Sequence, residues 1–195
     1  MKKWDEIPVF MNNEQVKYYY NILKKKERQI RIKRIFDVVM AVSLIIVLLP
    51  IMIAISVAIK MDSSGPVIFK QVRITTYGRK FHIYKFRTMV AGADKIGSKV
   101  TVQGDSRITK TGEFLRKYRL DEIPQLFNVL LGDMSFVGTR PEVEKYVHQY
   151  NDEMKATLLL PAGITSLASI KYKDEDQLLQ NAENADEEYI MVVLP

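Results

Sequence analysis

The sequence predicts an α+β protein, mainly α, in which an N-terminal membrane helix-break-helix carries a small globular domain. Three observations predict it: one uncharged apolar run interrupted by a proline, two alternating segments joined by a turn, and short helical stretches stopped by glycine or proline.

The apolar run is Val38 to Ile59, 22 residues without a charge. As a straight helix it would measure roughly 33 Å against a hydrocarbon core of about 30 Å. It is too long for a signal-peptide core and no small-residue cleavage site follows it. Soluble core helices seldom run this far without a polar face. Pro50 lacks an N–H and its ring clashes with the carbonyl of Ile46, so it reads as a kink or as a break. Flanking charge favours the break. Both flanks are basic, the second through Lys60, Lys70, Arg73, Arg79, Lys80, Lys85 and Arg87 against the single acid Asp62. The positive-inside tendency keeps both flanks on one side, which a crossing helix cannot satisfy. The expected organisation is a basic juxtamembrane segment (1–32), a re-entrant membrane helix (33–61) and a globular domain (62–195). Asp37, at the start of the apolar run, sits at headgroup level or pairs with Arg34 or a residue of the globular part.

Net charge sharpens the choice of partner. Residues 1–34 hold ten Lys/Arg against four Asp/Glu, while the rest of the chain is balanced at nineteen against nineteen. A basic run beside an apolar helix points to anionic lipid headgroups rather than to nucleic acid, for which no recognition motif is present. The absence of cysteine excludes disulfides, thiolate metal sites and thiol catalysis.

In the globular part, Asp62-Ser63-Ser64-Gly65-Pro66 is a turn that ends the membrane element. Val67–Ile74 and Phe81–Arg87 alternate around the turn Thr75–Gly78, which predicts a hairpin with its basic residues on one face. Val90–Ser106 is polar and reads as a mobile loop. Helices are predicted over Thr111–Tyr118, over Pro124–Leu131 up to Gly132, and over Tyr146–Leu160 up to Pro161. A strand over Ile164–Tyr172 and an acidic helix over Asp174–Glu188 complete the reading.

His82 and His148 are isolated, and the serine elbow, Walker loop and dinucleotide fingerprint are all missing. What remains is Asp121-Glu122, just before Pro124. One reading is helix capping. The other is a pair of carboxylates in which a helix N-terminus keeps Asp121 ionised, able to attack phosphorus and form an acyl phosphate. Such a site needs cations against the charge of a diphosphate, and Lys85, Arg87, Arg116 and Arg140 are the candidates.

Several blocks occur in an order that decides between these readings. They are Lys33-Arg34-Ile35-Phe36-Asp37-Val38, Asp62 to Phe69, Tyr84-Lys85-Phe86-Arg87-Thr88-Met89, and Asp105-Ser106-Arg107-Ile108-Thr109 with Gly112 and Leu115-Arg116. Leu120 to Leu130, Gly132 to Glu142 and Gly163-Ile164-Thr165 follow. From about Lys33 to Tyr172 the sequence resembles the bacterial sugar transferases, monotopic polyprenyl-phosphate phosphoglycosyl transferases. The resemblance implies a re-entrant helix in the bacterial inner membrane, a catalytic domain on its cytoplasmic face, and a Mg²⁺ requirement. It implies a ping-pong transfer of phosphosugar from a UDP-sugar to polyprenyl (undecaprenyl) phosphate, releasing UMP. By the same resemblance Asp121 is the nucleophile, Glu122 assists with metal or proton, both are metal ligands, and Lys85, Arg116 and Arg140 meet phosphate.

The sequence departs from the family pattern at Leu49, where a Ser commonly precedes the membrane Pro50, and at Thr139, where a Pro commonly precedes Arg140-Pro141. Many members continue beyond the position of Pro195, so a further C-terminal element is expected, and residues before about Ile30 have no counterpart. A non-catalytic membrane-anchored interaction protein is the competing class, distinguished by releasing no nucleotide. A homo-oligomer is left open, as is the sugar.

Overall fold

The computed structural model describes residues 1–93, 105–167 and 170. An N-terminal segment leads through two 3₁₀ turns, Trp4–Glu6 and Val9–Met11, into α1 (Glu14–Lys25). Asn13 caps α1 by accepting from the Val16 amide, and Lys24 and Lys25 in its last turn complement the helix dipole. The segment is folded onto the domain: Ile7, Met11, Val16 and Tyr20 are buried with Ile74, Leu158 and Leu159. The chain bends at Lys26 and enters α2 (Glu27–Asp62), the one helix among the described residues long and apolar enough to cross a membrane by length and composition.

The break expected at Pro50 lies inside one continuous helix. The buried residues of α2 are Asp37, Ala41, Met52, Ile55 and Ile59, with Leu48 partly buried between them. Their spacing keeps one face toward the domain on both sides of Pro50, while Ile32, Ile35, Val39, Ile46, Ile53 and Val57 stay exposed on the opposite face. Pro50 is itself exposed. Helices curve with the convex side away from the core, and proline lies on the face that needs no inward packing.

The hairpin follows: β1 (Ile68–Ile74) pairs antiparallel with β2 (Lys80–Phe86) around a 3₁₀ turn at Thr76–Gly78. Its basic residues do not share a face as expected. Strand alternation puts Arg73 and Lys85 with Phe81 and Ile83, and Lys70 and Lys80 with the opposite set. Phe81 and Ile83 pack with Ala41, Val129 and Met134, and Phe86 packs with Met52, Ile55, Ile59 and Leu115, so one strand bridges both limbs of α2.

Helix α3 (Lys110–Lys117), capped by Thr109, and helix α4 (Gln125–Leu131) match the expected positions. Gly132 closes α4 at φ 89°, a left-handed conformation that glycine adopts without strain. Then come β3 (Met134–Val137), α5 (Glu144–Val147), a 3₁₀ stretch Met154–Leu159 and β4 (Ala162–Thr165), which pairs parallel with β3. The single helix expected over Tyr146–Leu160 is therefore two pieces. The Asn151 side chain accepts from the Met154 amide, a local turn that competes with a continuous helix. The strand expected over Ile164–Tyr172 is β4, which starts earlier and ends at Thr165, with Leu167 and Ile170 already helical. The loop over 94–104 and the helix over Asp174–Glu188 lie outside the described residues.

Candidate active site

Asp121 and Glu122 lie in a 3₁₀ turn, Leu120–Glu122, between α3 and α4. Arg119 enters it at φ 56°, left-handed and uncommon for a non-glycine residue. The capping reading fails here: α4 has Pro124 at its cap position and no side-chain cap. Asp121 is buried instead.

Burial raises the Asp121 carboxyl from its ordinary value of 3.8. Lys85 pulls it back most strongly, Glu122 pushes it up, and Arg116 and Arg119 oppose Glu122. The expectation had a helix N-terminus favouring the ionised form. Desolvation is the leading influence, and the cations of β2 and α3 answer it.

Glu122 is tied to Lys85, Nζ to Oε1 at 2.8 Å, across from the end of β2. Arg116 approaches from the last turn of α3, its Nε donating to Thr88 Oγ1 at 3.0 Å. Lys85, distant in sequence, thus meets Arg116, Asp121 and Glu122 where β2, α3 and the 3₁₀ turn converge.

The other two expected phosphate ligands have partners of their own. Arg87 is buried and its guanidinium clasps the C-terminus of α2, donating to the carbonyls of Ser63 (2.7 Å) and Ser64 (2.8 Å) and to Ser63 Oγ (2.8 Å). Gly65, at φ 122°, lies against that guanidinium, where a Cβ would collide with it. Arg140 lies beside the buried Glu142 (3.5 Å), which Arg73 approaches from the other oxygen (3.7 Å). Pro50, the expected membrane break, lies on the exposed face of α2.

Two further polar residues were not anticipated. Asn128 is fully buried, donating to the His82 carbonyl at 2.7 Å and accepting from the Tyr84 amide at 3.0 Å. An asparagine on the apolar face of a helix, between Leu126 and Val129, was the available signal. Asp62 ends α2 by accepting from the Thr111 amide at 2.9 Å, joining α2 to α3. Asp37, left undecided above, bonds to Lys33 (3.0 Å) and Ser135 (2.8 Å), while Arg34 donates to the carbonyls of Val129 and Leu130.

Among the described residues no three His, Cys, Asp or Glu side chains cluster as metal ligands. Mg²⁺ in phosphate-handling sites is held by one or two carboxylates, with substrate oxygens and water completing the octahedron. The adjacent Asp121 and Glu122 carboxyls fit that sparser requirement.

The same architecture is matched by a family model described as bacterial sugar transferase, over residues 28–193. This chain belongs to the bacterial sugar transferase family. Among its relatives, a UDP-N-acetylgalactosamine-undecaprenyl-phosphate N-acetylgalactosaminephosphotransferase of Aeromonas hydrophila is 46% identical over 63% of this chain and 29% of its own length. A UDP-glucose:undecaprenyl-phosphate glucose-1-phosphate transferase of Escherichia coli K12 is 39% identical over 82% of this chain and 36% of its own. A putative undecaprenyl-phosphate N-acetylgalactosaminyl 1-phosphate transferase of Bacillus subtilis 168 is 37% identical over 69% of this chain and 75% of its own. The chain thus spans about a third of the first two relatives and three quarters of the third. The N-terminal 3₁₀ turns and α1 precede the matched region of this bacterial sugar transferase.

Proposed function

We propose that this bacterial sugar transferase moves a phosphosugar from a UDP-sugar to undecaprenyl phosphate through a covalent intermediate on Asp121. The observation that carries the reading is the buried Asp121 carboxyl, held among Lys85, Arg116 and Arg119 beside a Glu122–Lys85 pair, in a domain packed along an apolar helix. The relatives' names, which pair sugars with undecaprenyl phosphate, support the substrate classes.

In the first step a carboxylate oxygen of Asp121 attacks the sugar-bearing phosphorus of the donor. The bond from that phosphorus to the bridging oxygen breaks, and UMP leaves with the electron pair. In the second step a phosphate oxygen of the polyprenyl carrier attacks the same phosphorus, the bond to Asp121 breaks, and the carboxylate is restored. Burial suits this use, because a desolvated carboxylate is poorly hydrated and the flanking cations offset its charge. Lys85 and Arg116 are placed to meet the diphosphate oxygens as the donor enters. Asp121 and Glu122 would hold Mg²⁺, which would supply positive charge against the diphosphate and the attacking carboxylate.

The same reading places both limbs of α2 on one side of the bilayer. The domain packs on Asp37 and Ala41 before Pro50 and on Met52, Ile55 and Ile59 after it. Residues 42–51, which include no buried residue, would span about 15 Å, half of a hydrocarbon core. A re-entrant placement in the inner membrane with the domain on the cytoplasmic face fits the basic residues on both flanks, and it requires α2 to bend at Pro50.

Two experiments test the proposal. The purified protein in lipid nanodiscs containing undecaprenyl phosphate should release UMP with at least one member of a panel of UDP-sugars. Asp121→Asn should release none and trap no labelled phosphosugar, and turnover at the wild-type rate by this variant would remove the nucleophile. For topology, single cysteines at Lys3 and Lys80 should react with an impermeant reagent from the same side of the membrane. Opposite sides would establish a span.

A further inference from the structure

The hairpin is a two-stranded sheet, so the edge of β2 away from β1 has no strand partner among the described residues. The Tyr84 N–H and the His82 carbonyl point to that edge. Asn128 meets both, accepting from one at 3.0 Å and donating to the other at 2.7 Å. Its carboxamide does there what a peptide group of a third strand would do, with one donor and one acceptor spaced to match two residues of β2. The site is closed to solvent, since Asn128 is fully buried.

The position of this contact gives it consequence. Asn128 lies six residues after Glu122, and the path between them is the end of a 3₁₀ turn and the first turn of α4. Lys85 lies one residue after Tyr84 on β2. The strand and the turn–helix unit are therefore joined twice, by Asn128 at one point and by Lys85–Glu122 (2.8 Å) at the other. Lys85 has a flexible stem and a single contact point, while the amide is rigid and bonded at two. The less flexible joint fixes the distance that the more flexible one has to span.

We propose that Asn128 is a positioning residue for the phosphosugar transfer, setting the strand that carries Lys85 against the turn that carries Asp121 and Glu122. It touches no substrate and acts through the Lys85–Glu122 pair. The inference rests on the transferase reading for its kinetic consequence but not for its geometric one.

Two measurements on Asn128→Ala test it. The first needs no activity: Lys85 acylation by acetic anhydride, followed by mass spectrometry of the folded protein in nanodiscs. An ammonium held against a carboxylate is shielded, so Asn128→Ala should raise the Lys85 labelling rate at least threefold, approaching Glu122→Gln, while Lys70 and Lys80 keep their rates. The second is a double-mutant cycle in UMP release. Asn128→Ala should lower kcat about tenfold with the donor KM within twofold, and should cost almost nothing further in a Lys85→Met background. Should Asn128→Ala not fold, Asn128→Ser, which keeps one hydroxyl for the edge, carries both comparisons.

Unchanged Lys85 labelling, or losses that simply multiply in the double variant, would overturn the inference and leave Asn128 as a packing residue. A wild-type protein that releases no UMP with any donor would instead remove the transferase reading, and the labelling result would still decide the geometry.

Discussion

The two limbs of α2 are held to the same domain by different means. Before Pro50 the attachment is polar: Asp37 and Lys33 to Ser135, and Arg34 to the last carbonyls of α4, with Ala41 as the one buried apolar residue. After Pro50 it is apolar, with Met52, Ile55 and Ile59 packed on Phe86 and Leu115, and it finishes in the Arg87 clasp and the Asp62 contact with α3. The first limb meets the domain behind α4 and β3. The second meets the strand and helix that carry Lys85 and Arg116. A fault in the second limb therefore reaches β2 next to Lys85, at Phe86, whereas one in the first reaches that strand farther away, at Phe81 and Ile83, or passes through α4.

The largest effect should come from Arg87→Met. It removes a buried guanidinium and leaves the Ser63 and Ser64 carbonyls without that donor, where hydrogen bonds to charged groups contribute about 1.5–3 kcal/mol each. Allowing for partial rescue by water, about 3 kcal/mol should be lost. For a chain of this size that lowers Tm by roughly 6–12 °C, measurable through Trp4 fluorescence in nanodiscs. UMP release should fall with it, since the clasp and Lys85 share one stretch of strand. An Arg87→Met protein that melts normally but has lost donor affinity would return Arg87 to the phosphate role expected from its sequence block.

Asp37→Ala should do less. It takes the carboxylate from Ser135 Oγ and from the half-exposed Lys33 ammonium, while Ser135 keeps Lys33 and the Val137 carbonyl as partners. The cost is about 1–2 kcal/mol, most of it from the buried hydroxyl. Because the first limb touches neither Lys85 nor Arg116, kcat of the protein that remains folded should stay within twofold of wild type. A large loss of kcat at normal stability would erase the distinction between the limbs.

How much of this was legible in the sequence follows from the range of the interactions. The hairpin, α3 and α4 could be read because alternation, the Thr109 cap and Gly132 are local signals. The charge around Asp121 could be read in part, since Lys85 and Arg116 were named. Its burial could not, because the leading cause of its raised pKa is packing by distant elements. Arg87 and Arg140 were grouped with Lys85 and Arg116 as candidate phosphate ligands; Arg87 is held by Ser63 and Ser64 at the end of α2, and Arg140 lies beside Glu142, two residues on. The N-terminal segment reads from sequence as a basic juxtamembrane segment that faces anionic headgroups. Its Ile7, Met11, Val16 and Tyr20 are spaced for one packed surface, but that surface needs Leu158 and Leu159 from the far end of the chain.

The smallest effect concerns the last residue of the second limb. The Thr111 amide, with Thr109 and then Lys110 in support, holds the Asp62 carboxyl below its ordinary value of 3.8. A carboxyl depressed by folding adds stability that is fully present above its unfolded value, near 3.9, and is lost as pH falls through the lower folded value. Between pH 7 and 5 the junction of α2 with α3 should therefore be indifferent to pH, and below about pH 4 it should loosen. Amide exchange at Thr111 reports it, since that N–H donates to Asp62. Exchange should quicken below pH 4 by more than the intrinsic trend, and Asp62→Asn, which keeps an acceptor oxygen without the charge, should remove the excess. If the excess persists in Asp62→Asn, protonation elsewhere opens α3.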